Sequence, residues 1–192
     1  LVYYALKAFE NSPVDEVILV TGEDEIEYCR QYIVEKYNFH KVTRIEAGGC
    51  ERYASVYCGL KAVNQADYVL IHDGARRMIN RELIKQCILN VMEYRACVVG
   101  MPSKDTIKIV DQRNYAIHTP ERKTLWQVQT PQCFEYSLVM NAYQKLMESG
   151  ATNATDDAMV VETYAKVPVK LIEGGYDNIK ITTPEDVRIA GS

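Results

Sequence analysis

No apolar run in this sequence approaches the ~18 residues of a membrane-spanning helix, so no transmembrane segment is expected. Nor is there a run rich in Lys and Arg. With a formal net charge of −4, the chain has no overall field to draw nucleic acid. The six cysteines (Cys29, Cys50, Cys58, Cys87, Cys97 and Cys133) include no Cys-x-x-Cys pair, which argues against a zinc cluster. Their scatter is unlike a disulfide framework, and several lie inside apolar runs as small hydrophobes do, so a reducing cytoplasm is the expected compartment. A Gly-x-Gly-x-x-Gly fingerprint is missing as well, which weakens a dinucleotide-dependent dehydrogenase reading. There is no internal repeat, low-complexity tract or linker. The 192 residues, 47% hydrophobic and 25% charged, are therefore read as one domain over 1–192 with a substantial core.

Short β-branched runs alternate with helical patterns almost from end to end. Glu16–Thr21, Tyr68–His72 and Ala96–Gly100 leave no polar face, as strands buried on both sides do. Amphipathic segments near 23–37, 51–65, 80–93 and 135–149 lie between and after them; in the second, Val56, Leu60 and Val63 recur at helical spacing. This alternation predicts a doubly wound α/β fold with a mostly parallel sheet. From Asp105 to Gln132 the rhythm breaks. Thr106–Val110, a turn at 111–114 and Tyr115–Thr119 read as a hairpin, either projecting as an arm or lying at the sheet edge. The first ten residues are already helical in pattern (Tyr4, Ala5, Ala8, Phe9), so a first strand and the loop after it are expected to be missing.

Five stretches combine residue types that suit chemistry. Gly48-Gly49-Cys50-Glu51-Arg52 follows a predicted strand (Val42–Glu46) and opens a helix, where glycines admit a ligand to the backbone; a plain strand-to-helix turn is the alternative. His72-Asp73-Gly74-Ala75-Arg76 ends a strand at the side where open α/β sheets bind ligands. Asp73 suits Mg²⁺ or a hydroxyl there and Arg76 suits phosphate, unless the two only cap the next segment. Thr106, Arg122 and Gln129-Thr130-Pro131-Gln132 offer hydroxyl and guanidinium groups, which are also common on solvated loops. In Thr155-Asp156-Asp157, Thr155 reads as a helix cap followed by two acids, with an acidic metal pair as the sharper option. Lys180 reads as a strand residue whose neighbours Ile179 and Ile181 face the other way, with Thr183 capping a helix that starts at Pro184.

Together the stretches GGCERYASVYCGL (48–60), HDGAR (72–76), DTIK (105–108), ERKTLWQVQTPQCF (121–134), TDDA (155–158) and NIKITTPED (178–186) resemble, in order and spacing, the 2-C-methyl-D-erythritol 4-phosphate cytidylyltransferase family. The resemblance implies a Rossmann-like sheet with a β-arm, about 105–132, that completes a homodimer. It implies the reaction of CTP with methylerythritol 4-phosphate, with Mg²⁺ on the triphosphate. By the same resemblance Gly49 and Cys50 would meet the cytosine with Ser55 nearby, and Asp73, Gly74 and Arg76 would line the ribose, metal and substrate region. Thr106, Arg122, Thr155 and Lys180 would hold the methylerythritol phosphate, Thr106 and Arg122 reaching across the dimer, and Thr130 would lie close by. Arg122 and Lys180 would orient the attacking phosphate. The family's Gly-rich loop, expected before Leu1, is absent from these residues, and Arg77 stands where proline is usual. A ribitol 5-phosphate cytidylyltransferase and a non-catalytic nucleotide-binding module are the alternatives.

Overall fold

The computed structural model describes residues 1–182 and 186. The apolar run after Glu16 forms β1 (Val17–Thr21), paired in parallel with β2 (Val42–Ala47). Four further strands, β3 (Tyr68–Ile71), β4 (Ala96–Pro102), β7 (Trp126–Glu135) and β8 (Lys170–Glu173), make a sheet of order β3-β7-β4-β8. β7 is antiparallel to both β3 and β4, and β8 is parallel to β4, so three strands share one direction and β7 alone is reversed. Between β4 and β7 the short strands β5 (Ile109–Val110) and β6 (Ala116–His118) form a separate antiparallel hairpin. The doubly wound α/β reading holds, with a mixed sheet.

Alternation along the strands explains the two layers. Ala96, Val98 and Phe134 face a cluster with Leu60 of α3 (Arg52–Ala62), Val139 and Leu146 of α5 (Tyr136–Ser149), and Val160 and Val161 of α6 (Asp157–Tyr164). Their neighbours Cys97, Val99 and Cys133 face the other way, onto Leu83, Cys87 and Val91 of α4 (Arg81–Tyr94). Beyond α4, Ile84 packs against Ala5 and Phe9 of α1 (Val2–Glu10). Burying each large aliphatic side chain in this way contributes roughly 1.5–3 kcal/mol over leaving it in water. Local chemistry sets the helix ends: the Asn80 side chain accepts from Leu83 N (2.9 Å) at the start of α4, and α5 stops at Gly150, whose φ of +68° a side chain would resist.

Three expectations change. The segment expected as one helix near 23–37 is a 3-10 turn (Glu23–Glu25), a short helix α2 (Ile26–Cys29) and a π turn (Arg30–Glu35). The hairpin strands are shorter than the patterns 106–110 and 115–119, losing 106–108 at the end away from the turn, while the turn stands where expected, with Asp111 Oδ1 accepting from both Arg113 N and Tyr115 N (2.9 Å each). The third is β7, whose residues had seemed part of the arm. Pro131 and three glutamines hide its pattern, and a bulge accommodates them. Val98 opposes Gln132 and Gly100 opposes Val128, so Gln129, Thr130 and Pro131 stand against Val99 alone.

Candidate active site

β2 runs into Gly48-Gly49-Cys50-Glu51, and α3 starts at Arg52. The turn folds back on the helix: Gly49 N donates to Ser55 Oγ (3.1 Å), whose hydroxyl is also near Glu51 O (3.2 Å). A Cβ on Gly48 would lie 2.6 Å from Ser55 Oγ, and one on Gly49 would lie 2.5 Å from Ala54 Cβ, so only glycine permits this wrap. No side chain caps α3, and Cys50 is exposed, leaving the loop backbone open to a ligand.

At the end of β3 the chain delivers Asp73 into a set of ion pairs. Its Oδ1 accepts from Arg52 Nε (2.9 Å), and its Oδ2 lies 3.2 Å from Lys180 Nζ. Burial opposes ionisation of Asp73, but the Arg52 charge and hydrogen bond, and then Lys180, outweigh it and hold the carboxyl below its usual range. Arg52 uses its other edge on Asp157, donating from Nη1 (3.0 Å) and Nη2 (2.9 Å) to the two carboxylate oxygens. The Asp157 side chain has no solvent exposure and also accepts from the Tyr143 hydroxyl. A carboxylate so placed costs several kcal/mol to bury unless its lone pairs are met. Burial lowers the Arg52 pKa, yet Asp157 and then Asp73 raise it further, so the guanidinium stays charged.

The backbone of Asp73 is fixed by a second chain. Asp73 N donates to Thr130 Oγ1 (3.1 Å), Thr130 lies 2.9 Å from His72 Nδ1, and His72 Nε2 lies 3.0 Å from Arg76 O. Because Arg76 O only accepts, His72 carries its proton on Nε2, and the Thr130 hydroxyl donates to Nδ1. The β7 bulge thus meets the end of β3. Asn178, 1% exposed, sews in the segment after β8: its Nδ2 reaches Thr130 O (3.0 Å) and Gln129 Oε1 (3.3 Å), while Arg76 Nη1 donates to Asn178 O (2.6 Å). Burial lowers the Arg76 pKa, but the group remains a cation.

Burial also pushes His72 down from 6.5 to about 4. The unfolded chain takes up this proton near its ordinary pKa, whereas the folded site refuses it until about 4. Stability is therefore full above the ordinary value and falls as pH drops through the window between the two, by roughly 3 kcal/mol in all. Urea unfolding in EDTA from about pH 7.5 to about pH 4.5 should show the loss, and His72→Asn should flatten it. Parallel profiles for the two proteins would mean that His72 is not held neutral.

Of the residues singled out from sequence, Asp73, Thr130 and Lys180 are joined by direct bonds, and Arg76 connects to them through Asn178. Gly49 and Ser55 bond to each other in the turn that leads into Arg52 rather than to the Asp73 cluster itself, and Gly74 directly follows Asp73 in the chain. Two local expectations are corrected. Lys180 follows β8 in an irregular segment tied by Ile181 N to Ala75 O (3.1 Å), not in a strand. The cap of α6 is Asp156, accepting from Met159 N (2.8 Å), while Thr155 is exposed with its hydroxyl against Met159 Sδ (3.3 Å). Asp156 and Asp157 therefore have separate duties and are not a metal pair. Thr106 and Arg122 are exposed at the hairpin base, where Arg122 Nη1 donates to Lys104 O (3.2 Å); among the described residues neither bonds to the Asp73 cluster. The cap expected at Thr183 and Pro184 lies outside the described residues.

Arg52, Asp157 and Tyr143 were missed. An arginine at a helix start reads as solvated, an acid after a cap reads as a dipole partner, and Tyr143 reads as core; only proximity in the fold reveals them. Among the described residues, no group of three or more His, Cys, Asp or Glu side chains could hold a metal. A single carboxylate such as Asp73 is compatible in chemistry with Mg²⁺, which is commonly held by one or two carboxylates together with a substrate's own oxygens.

The model of the family described as IspD, 2-C-methyl-D-erythritol 4-phosphate cytidylyltransferase, matches residues 1–192. A protein of that name from Lachnospira eligens is 52% identical over 193 residues, covering 100% of this chain and 85% of its own length. Its counterpart from Lachnoclostridium phytofermentans is 48% identical, covering 99% and 82%. Among solved structures, 4-diphosphocytidyl-2C-methyl-D-erythritol synthase from Anaerococcus prevotii superposes with a TM-score of 0.90 at 35% identity, over 98% of this chain and 83% of that one.

Proposed function

The chain belongs to the 2-C-methyl-D-erythritol 4-phosphate cytidylyltransferase family, and we infer from this that it transfers CMP from CTP to 2-C-methyl-D-erythritol 4-phosphate in non-mevalonate isoprenoid precursor synthesis. A phosphate oxygen of the acceptor forms a bond to the α-phosphorus of CTP, the bond from that phosphorus to the bridging oxygen breaks, and pyrophosphate leaves. Two anions must meet, so catalysis is mainly positioning and neutralisation. The observation that carries the reading is Asp73 gripped between Arg52 and Lys180 at the end of β3, beside the Gly48-Gly49 turn. No side-chain nucleophile is needed.

In this reading Gly49, the Cys50 backbone and Ser55 take the cytosine, and Asp73 and Gly74 the ribose side. Asp73 is the residue that would hold Mg²⁺ together with the triphosphate; when bound, the ion neutralises phosphate charge. Arg76 lines that same metal and substrate region, Thr155 and Lys180 serve the acceptor phosphate with Thr130 close by, and Thr106 and Arg122 join them from a partner subunit. The dimer is supported by the hairpin region, where Ile109, Val110, Tyr115, Ile117, Trp126 and Val128 all expose apolar surface in one protomer. The compartment is read as the cytoplasm, in keeping with six free cysteines; no helix among the described residues is long and apolar enough to cross a membrane.

The test is pyrophosphate release by the full-length protein with CTP, Mg²⁺ and either methylerythritol 4-phosphate or ribitol 5-phosphate. Turnover is expected to be at least roughly 100-fold faster with the former, since the longer ribitol chain misplaces its hydroxyls relative to partners set for the shorter one. Equal or reversed preference would overturn the acceptor, and no turnover with either would overturn the reaction.

A further inference from the structure

Arg52 serves two carboxylates at once. Its Nε holds Asp73, and its Nη1 and Nη2 hold Asp157, so one planar group bridges two carboxylates that belong to different parts of the fold. Asp157 is wholly buried, and its Oδ1, which accepts from Arg52 Nη1, also accepts from the hydroxyl of Tyr143 in the core cluster of α5. The chain Tyr143, Asp157, Arg52, Asp73, Lys180 alternates in charge after its neutral end and sums to zero. Its geometry also joins the segments to which substrate roles are given above. Arg52 begins α3 directly after the Gly48-Gly49 turn, Asp157 lies two residues beyond Thr155, Asp73 ends β3, and Lys180 follows β8.

We propose that Arg52 is a positioning residue, locked by Asp157 and Tyr143, that sets the Asp73 carboxylate and through it Lys180, so that the nucleotide loop and the acceptor-phosphate side keep one registration. The proposal rests on the reaction assigned above. A lysine in place of Arg52 keeps the charge but has no rigid fork with which to serve two carboxylates at once. Tyr143 touches none of the residues given a substrate role and acts on the site only through Asp157 and Arg52. Removing its hydroxyl leaves a ring of nearly the same volume in the core, so the fold survives while Asp157 gains a freedom of orientation that Arg52 inherits.

The experiment is a double-mutant cycle with Arg52→Lys, Tyr143→Phe and the double variant, reading kcat, KM for both substrates and thermal stability beside wild type. Arg52→Lys is expected to lower kcat by about 10–100-fold, and Tyr143→Phe by roughly 3–10-fold, with KM for CTP within about twofold because the Gly49 and Ser55 turn is untouched. The double variant should be no slower than Arg52→Lys alone, since the hydroxyl has nothing left to act through. Losses that multiply, or unchanged kcat in the single variants beside lowered thermal stability, would overturn the proposal. If Arg52→Lys does not fold, unchanged kcat in Tyr143→Phe still overturns it, and a lowered kcat at constant KM for CTP supports it. Wild-type turnover in the same assay separates this result from the assignment of the reaction: an inactive wild type overturns both, and an active one with multiplicative losses overturns only the role of Arg52.

Discussion

Lys180→Ala is expected to lower kcat by roughly 10²–10³-fold with little change in folding, read by steady-state pyrophosphate release beside thermal unfolding. The two halves of this expectation have different physical sources. Lys180 Nζ lies 3.2 Å from Asp73 Oδ2 with 43% of its side chain still exposed, so the pair contributes less than about 1 kcal/mol to stability. If Lys180 serves the acceptor phosphate as proposed, the same exposure lets the ammonium leave Asp73 for a phosphate as charge concentrates between donor and acceptor. A charge used only in the transition state is lost from kcat and spares the fold. Near-normal kinetics in the variant would remove Lys180 from the chemistry.

Arg122→Ala should be similarly inactive, and an equal mixture of it with Lys180→Ala should recover up to about a quarter of wild-type activity once the subunits re-equilibrate. The figure follows from symmetry. Random reassociation makes half of the dimers mixed, and each mixed dimer has one site with an intact Lys180 from one chain and an intact Arg122 from the other. Arg122 sits at the hairpin base and, among the described residues, makes no bond to the Asp73 cluster within its own protomer, its Nη1 being turned to Lys104 O. Activity of the mixture no greater than the sum of its parts would show that Arg122 does not act across the dimer.

Strands β1, β3 and β4 were legible because burial on two faces favours uninterrupted apolar residues. β7 was not, for the opposite reason. Its glutamines and Pro131 are polar or irregular because the strand is part of the site: Gln129 donates to Gly175 O (2.9 Å), and Gln132 accepts from Ala158 N (2.9 Å). Asp73 was legible from its place at a strand end, and Lys180 from being a lone cation among apolar neighbours. The residue roles came from the family resemblance, since single hydroxyls and guanidinium groups carry no signal of their own. Arg52 and Asp157 lay beyond reach, being separated by 105 positions and meaningful only as a pair.

β7 also ties two distant jobs to one ruler. It leaves the hairpin at Trp126 and reaches Thr130, the residue that fixes the Asp73 peptide, without a loop between them. At no more than about 3.3 Å per residue, the hairpin's base stands at most ~13 Å from that threonine, the bulge shortening it, a length written directly into the chain. Exchanging an exposed side chain here leaves that length unchanged, but adding or deleting a single residue would turn every following side chain to the opposite face and shift the hairpin by one step. Substitutions at the exposed Gln127 and Val128 leave that spacing intact, whereas Gln129 and Thr130 are also tied by their own bonds to Gly175 and Asp73.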